Sequence, residues 1–165
     1  MKKRLFIAVI ICIFFNFGTA AAMVSFVVVE TGLPEDMEYS NQSIVWENAF
    51  MDVFFESGHI ISNFPIIRLV SKPQNDILYE IDFNFEDGRA MGIDFLIIAL
   101  LDFDADSQSE VSRLQAPKEI SFFIFNVNTG EKSYERQIAG KTYRSASEEL
   151  NDIKSIARGL IPFVR

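Results

Sequence analysis

From residue 23 onward the apolar positions of the chain change their period several times, and each change predicts an element. "MVSFVVVE" (23–30) is β-branched and almost wholly apolar, which predicts a strand covered on both faces. "TGLPEDMEYSNQ" (31–42) follows as a polar loop broken by Gly32 and Pro34. The period then lengthens to that of a helix. Trp46, Ala49, Phe50, Val53 and Phe54 form one stripe, widened by Met51 and Phe55, against a polar stripe of Asn48, Asp52 and Glu56. Ser43 is placed to cap this helix, Glu47 lies in its first turn and Gly58 ends it.

"HIISNFPIIRLV" (59–70) predicts a short strand and then a break at Asn63 and Pro65. "ILYEIDFNFE" (77–86) carries two periods at once. Tyr79, Ile81, Phe83 and Phe85 alternate with polar residues as in a strand, yet Ile77, Leu78, Ile81 and Phe85 share one helical face. Asn84 as a cap, Glu86 and Asp87 at the positive end and Gly92 as terminator favour a helix ending at Gly92, its start left open. Gly88 weakens that helix by about 1 kcal/mol relative to alanine. "IDFLIIALLDF" (93–103), bracketed by Asp94 and Asp102, is too short to span a membrane and predicts a central strand. After a polar loop (104–117), "FIFNVNTGEKSYERQIAG" (123–140) predicts a hairpin, with strands near Glu119–Val127 and Lys132–Ala139 about Asn128-Thr129-Gly130. Ser145 and Glu148 have the spacing of a capping box. Ala146, Leu150, Ile153, Ala157 and Leu160 then give one apolar face until Pro162 stops the helix.

The predicted order is β-α-β-α-β-β-β-α. Alternation at the start implies parallel crossovers, and the closing hairpin implies antiparallel pairing. The fold class is therefore α/β, a mixed β-sheet with helices packed on it, and residues 23–165 are expected to form a single domain.

The first 22 residues change the picture of where the chain resides. Lys2, Lys3 and Arg4 precede the apolar run Leu5 to Phe15, and Gly18 to Ala22 supply small residues, the layout of a signal peptide over residues 1–22. Cleavage is expected after Ala20 or Ala22; an uncleaved amino-terminal anchor is the alternative. Cys12 is the only cysteine and follows Ile11 inside the apolar run, which is the wrong place for a lipid anchor. Residues 23–165 then hold no thiol, which excludes disulfides, thiolate metal sites and cysteine nucleophiles from them. Removing Lys2, Lys3 and Arg4 takes the formal charge from −8 to −11, a balance that repels nucleic acid and anionic membrane surfaces. No stable membrane span is expected after signal cleavage.

Little in the sequence carries chemistry. His59 is the only histidine, so a multi-histidine metal site is impossible; beside a helix-ending glycine it reads as structural. Asp102, Asp104 and Asp106 have the alternate spacing that opens a calcium loop, but Ser107 stands where glycine makes the turn and Arg113 where a bidentate glutamate belongs. These three aspartates carry the alternative reading, a small-ligand or calcium-binding module built on the Asp102–Asp106 loop. "FEDGRAMG" (85–92) lacks the lysine and spacing of a phosphate loop. No catalytic residue and no cofactor is assigned. As exposed turns and loops, Glu35, Asp36, Glu38 and Tyr39, the tip Asn128, Thr129, Gly130 and Glu131, and the stretch from Asp104 to Glu110 are the candidate contact points for a partner.

Three patches carry a resemblance. "WENAFMDVFFESGHII" (46–61) looks like a first helix that ends in glycine and leads into a strand. "AMGIDFLIIALL" (90–101) is similar to an alanine–x–glycine–x–aspartate helix end with its central strand, and "FIFNVNTGEKSYER" (123–136) to a strand–TGE–strand hairpin. Together they resemble the anticodon-binding-like α/β domain of envelope proteins: the TolB amino-terminal domain, the curli-secretion protein CsgG and LpoB-type activators of penicillin-binding proteins. Residues 1–165 hold no cysteine placed for the lipid anchor of the lipoprotein members and no segment that reads as the barrel strands of CsgG, and a propeller like that of TolB is not expected. What the resemblance implies is a secreted, non-enzymatic adaptor in the periplasm or outer envelope. It would dock on another envelope protein, of cell-wall synthesis or of secretion machinery.

Overall fold

The computed structural model describes residues 21–34, 38–73, 76–103 and 116–164. The expected signal peptide therefore lies outside the described residues, except for Ala21 and Ala22. Strand β1 (Met23–Thr31) is followed by helix α1 (Asn41–Glu56) and two short strands, β2 (Ile60–Asn63) and β3 (Ile67–Leu69). Helices α2 (Ile77–Glu80) and α3 (Phe85–Ala90) lead to β4 (Phe95–Asp102). The hairpin β5 (Glu119–Asn126) and β6 (Glu131–Ala139) precedes α4 (Ala146–Leu160), which ends in a 3-10 turn, Ile161–Phe163.

Six strands form one mixed sheet in the order β2-β1-β4-β5-β6, with β3 also on β1. β1 is parallel to β2, β3 and β4, while β4, β5 and β6 run antiparallel in turn. The expected α/β class is thus observed, with parallel pairs made by the early crossovers and antiparallel pairs by the hairpin.

Alternation of side chains assigns the two faces. Val24, Phe26 and Val28 of β1, Ile97, Ala99 and Leu101 of β4, and Ile120, Phe122 and Ile124 of β5 point to one side, where α1 and α4 pack. An aromatic stack centres this layer: Phe26 and Phe50 lie 4.4 Å apart and nearly parallel, with Phe122 at 5.9 Å and Trp46 beyond it. The other side holds Val27, Val29, Leu96, Ile98, Leu100 and Phe125, covered by Ile77, Leu78 and Ile93. Rings from Phe64 through Phe83 and Phe85 to Phe125 meet edge to face at 5.6–6.3 Å across that second layer.

Several sequence expectations are corrected here. Helix α1 starts two residues before Ser43: Ser40 is its cap, taking the Gln42 amide at 3.1 Å. Ser43 is buried and gives its hydroxyl to Glu30 instead. Phe55 does not widen the buried stripe; it is 72% exposed. Residues 77–86 are neither one strand nor one helix, because both Asp76 and Asn84 act as helix caps and Asp82 turns the chain with φ of 53°. Gly88 has a reason that helix propensity hides. A Cβ there would stand 2.9 Å from both Phe83 and Val127, so the glycine lets α3 lie close against the hairpin. On α4 the inward stripe is Glu149, Ile153, Ala157 and Leu160, while Ala146 and Leu150 face outward.

The sheet's edges are protected in different ways. β2 and β3 are four and three residues long, separated by the break at Phe64–Ile66. β6 is longer and exposed, but it carries Lys132, Glu135 and Arg136; a second copy pairing antiparallel at its middle would set like charges against each other.

Candidate functional site

Because β5 runs against β4, the hairpin tip lies at the end where the parallel strands begin, and Glu38, Tyr39 and Asp102 lie where they finish. The eight residues of β4 separate these ends by about 25 Å. The structure therefore does not bring the sequence-selected residues together. Glu35, Asp36, Asp104 and Asp106, with the rest of 104–110, lie outside the described residues.

At the carboxyl end of the parallel strands the polar groups are committed to one another. Glu30, fully buried at the end of β1, takes the Ser40 amide (2.8 Å) and the Ser43 hydroxyl (2.5 Å) on Oε1. Its Oε2 takes Nε and Nη2 of Arg68 at 3.0 and 2.5 Å. Arg68 also donates to the carbonyls of Pro34 (2.9 Å) and Glu38 (3.1 Å), and its guanidinium lies 5.3 Å from the Tyr39 ring. One buried ion pair thus fastens β1, β3, the start of α1 and the backbone at Glu38. Sequence reasoning missed it. The available signal was Arg68, the one charge inside "PIIRLV".

Asp102 is similarly occupied. Its Oδ1 accepts the Thr31 hydroxyl at 2.9 Å, and its Oδ2 lies 3.7 Å from the Lys72 ammonium, which also pairs with Glu119. That ammonium is held above the ordinary lysine value, first by its hydrogen bond to Glu119, and Glu119 in return is held below the ordinary carboxylate range by Lys72. A cation at Asp102 would have to displace Lys72. Among the described residues no three acidic, histidine or cysteine side chains gather as metal ligands do.

The hairpin tip is pinned to the body. Arg89 of α3 donates to the Val127 carbonyl at 2.9 Å, and the Asn128 amide group donates to Asp94 at 3.2 Å. Asn126 receives the Thr129 and Gly130 amides, on its side chain and carbonyl at 3.0 and 2.8 Å, and Gly130 sits at φ of 75°. The tip is first of all architecture, as its sequence suggested.

What opens beside it is a groove. Helices α2 and α3 are short, and they cover β1, β4 and only the near part of β5 on the second face. Over β5 and β6 a shallow hollow of about 620 Å³ remains, floored by Leu100, Phe123 and Phe125 and bounded by Ile77, Leu78 and Phe85. Gly130 closes one end and Lys72 the other. Lys132 pairs with Glu135 on its rim and lies 5.8 Å from the centre of the Phe123 ring. Lys72 and Lys132 balance Asp76 and Glu135, so the groove is apolar below and electrically even above. It offers surface and orientation, with no nucleophile–base pair among the residues that line it. His59 is remote from it, against Phe54 at 5.7 Å, with its Nδ1 buried and unpartnered.

No family model matches this chain, and no curated protein matches it. Among solved structures, the PelC dodecamer from Paraburkholderia phytofirmans is similar at 14% identity and a TM-score of 0.46, over 87% of this chain and 88% of that one. TolB from Acinetobacter baumannii matches at 11% identity and a TM-score of 0.42, over 84% of this chain but 28% of its own. The LpoB C-terminal domain from Salmonella enterica matches at 14% identity and a TM-score of 0.40, over 76% of this chain and 87% of that one. TolB and LpoB were two of the proteins in the sequence resemblance; at TM-scores below 0.5 the likeness is one of outline, and no function is argued from it.

Proposed function

We propose that this chain is an exported, non-enzymatic adaptor of the cell envelope that docks on another envelope protein through the groove over β5 and β6. The observation that carries the reading is the half-covered second face. Over the antiparallel strands β5 and β6, half-buried Phe123 lines the hollow beside exposed Lys132, Glu135 and Gln137, with Leu100 and Phe125 buried beneath it. An apolar spot at Phe123, charges at the rim that are already paired and a pinned hairpin edge suit a protein segment lying across the strands. Export is supported by the cationic and apolar character of residues 1–22. Of the residues selected from sequence, Gly130 borders the docking face, and Glu38 and Tyr39 stand apart from it.

The test is a crosslinking pull-down with the full chain as bait in envelope extract, read by mass spectrometry beside Phe123→Asp and Lys132→Glu variants. One recurrent envelope protein should be recovered with the wild type and lost with Phe123→Asp, while both variants keep the wild-type circular dichroism spectrum. Recovery of the same protein by all three would remove the groove from the interface.

A further inference from the structure

Strand β6 leaves one side of its backbone unpaired. It has nine residues and stands outermost in the strand order, and among the described residues no strand pairs with its far side. The Gly140 amide donates to the Lys118 carbonyl at 2.8 Å, with Ala139 opposite Glu119. That bond fixes the alternation along the strand. The backbone groups of Tyr134, Arg136 and Ile138 turn towards β5, and those of Glu135, Gln137 and Ala139 turn away from it. The free edge therefore presents amides and carbonyls at alternate residues, the arrangement that accepts a further strand.

The side chains select which strand. Tyr134, Arg136 and Ile138 stand opposite Ile124, Phe122 and Ile120, on the side of the sheet where α1 and α4 pack. Tyr134 and Ile138 are half-buried against that layer, and Arg136 between them is exposed. Its guanidinium has no ion pair or hydrogen bond among the described residues, whereas Lys132 and Glu135 pair with each other. The apolar surface continues past Tyr134, whose ring lies 4.2 Å from that of Phe163, itself 40% exposed.

A second copy does not fit this edge. Antiparallel pairing centred on Glu135 or on Arg136 sets that residue against itself, and like charges directly opposite are destabilising. A strand with a carboxylate opposite Arg136 turns the same position into an attraction. Its residues two places before and after the carboxylate fall beside Tyr134 and Ile138, where apolar side chains extend the buried layer.

We infer that β6 takes an added strand from a protein partner: an extended segment with an acidic residue between two apolar residues at alternate positions, its carboxylate on Arg136. The seat for those side chains is on the face of the sheet opposite the groove, so this surface stands whether or not the groove is a docking site.

The experiment adds synthetic peptides to the full-length, isotope-labelled chain and follows amide shifts and amide hydrogen exchange by NMR. The peptides alternate threonine and valine, with glutamate, glutamine or lysine replacing the central valine. The glutamate peptide should slow exchange at Glu135, Gln137 and Ala139. It should bind about 5-fold more tightly than the lysine peptide, the upper range for a cross-strand charge pair. The chain's formal charge of −8 favours the lysine peptide at long range, so a preference for glutamate reports the local pair. Arg136→Glu, a substitution at an exposed position, should reverse the order of the two peptides with the circular dichroism spectrum unchanged. No protection of those three amides in millimolar peptide, equal affinity for all three peptides, or an order unchanged in Arg136→Glu would overturn the inference. Protection that rises with protein concentration alone would place a second copy on the edge and would equally overturn it.

Discussion

Gly140 is required by space. A Cβ at that position would lie 1.5 Å from the Pro117 carbonyl oxygen, where the chain entering β5 passes the chain leaving β6 and the Gly140 amide donates to Lys118 at 2.8 Å. Gly140→Ala should therefore cost about 1–3 kcal/mol or more, the range for overpacking against an element that must move. Thermal unfolding checks this, and a variant melting with the wild type would mean that the two backbones are not held together. The glycine was visible in the sequence as the end of a strand. Its reason was not, because the clash is with a residue 23 positions earlier that only strand pairing brings near. Ser40 and Ser43 show the same limit: either can cap a helix, and what separates them is Glu30, whose buried carboxylate claims the Ser43 hydroxyl.

Among the elements, the local periods were legible and the joints between them were not. β1, α1, β4 and the hairpin appear where the apolar spacing placed them, since each buries a long regular face. Residues 77–90 resisted because two caps, Asp76 and Asn84, compete within one stretch, and the result is two short helices on either side of Asp82. The joint made by Glu30 and Arg68 leaves a falsifiable mark. Arg68→Ala would strand a fully buried carboxylate and should destabilise the chain by about 3–5 kcal/mol, whereas Lys154→Ala at the exposed pair with Asp52 should change stability by less than about 1 kcal/mol. Denaturant unfolding of the two variants side by side decides it; equal effects would contradict the assignment.

The pair that joins Lys72 to the start of β5 has its own signature in pH. Glu119 is held below the ordinary value of 4.5, so its contribution is present above that value and is lost as pH falls through the lower folded one. Lys72 is held above the ordinary value of 10.5, so its share is present below that value and disappears as pH rises through the higher folded one. The wild type should exceed Glu119→Gln by no more than about 1 kcal/mol at neutral pH, as an exposed pair allows. The difference should shrink to zero on acidification below pH 4.5. A difference that stays constant across this range would rule out the pair as its cause.

For the whole molecule, the order of elements determined which strands pair, and that much could be anticipated from the chain. Which side of the sheet the described residues leave less covered could not, because it depends on α2 and α3 being too short to reach β6. The candidate contact residues chosen from sequence were exposed turns, and they sit at two ends of the sheet. The groove lies between strands whose alternation looked merely structural. Of its floor residues, Phe125 is already buried against Phe85, and Phe123 is the half-buried one that a further cover would bury. The central claim is that a protein partner supplies this cover. Its most direct test is site-specific photocrosslinking in the producing cells, with a photoreactive phenylalanine at Phe123 or Gln137 in the groove and at Ser155 on the outer face of α4. A single adduct of one mass from Phe123 and Gln137, and none from Ser155, is the predicted result; no adduct from the groove, or equal adducts from both faces, would contradict it.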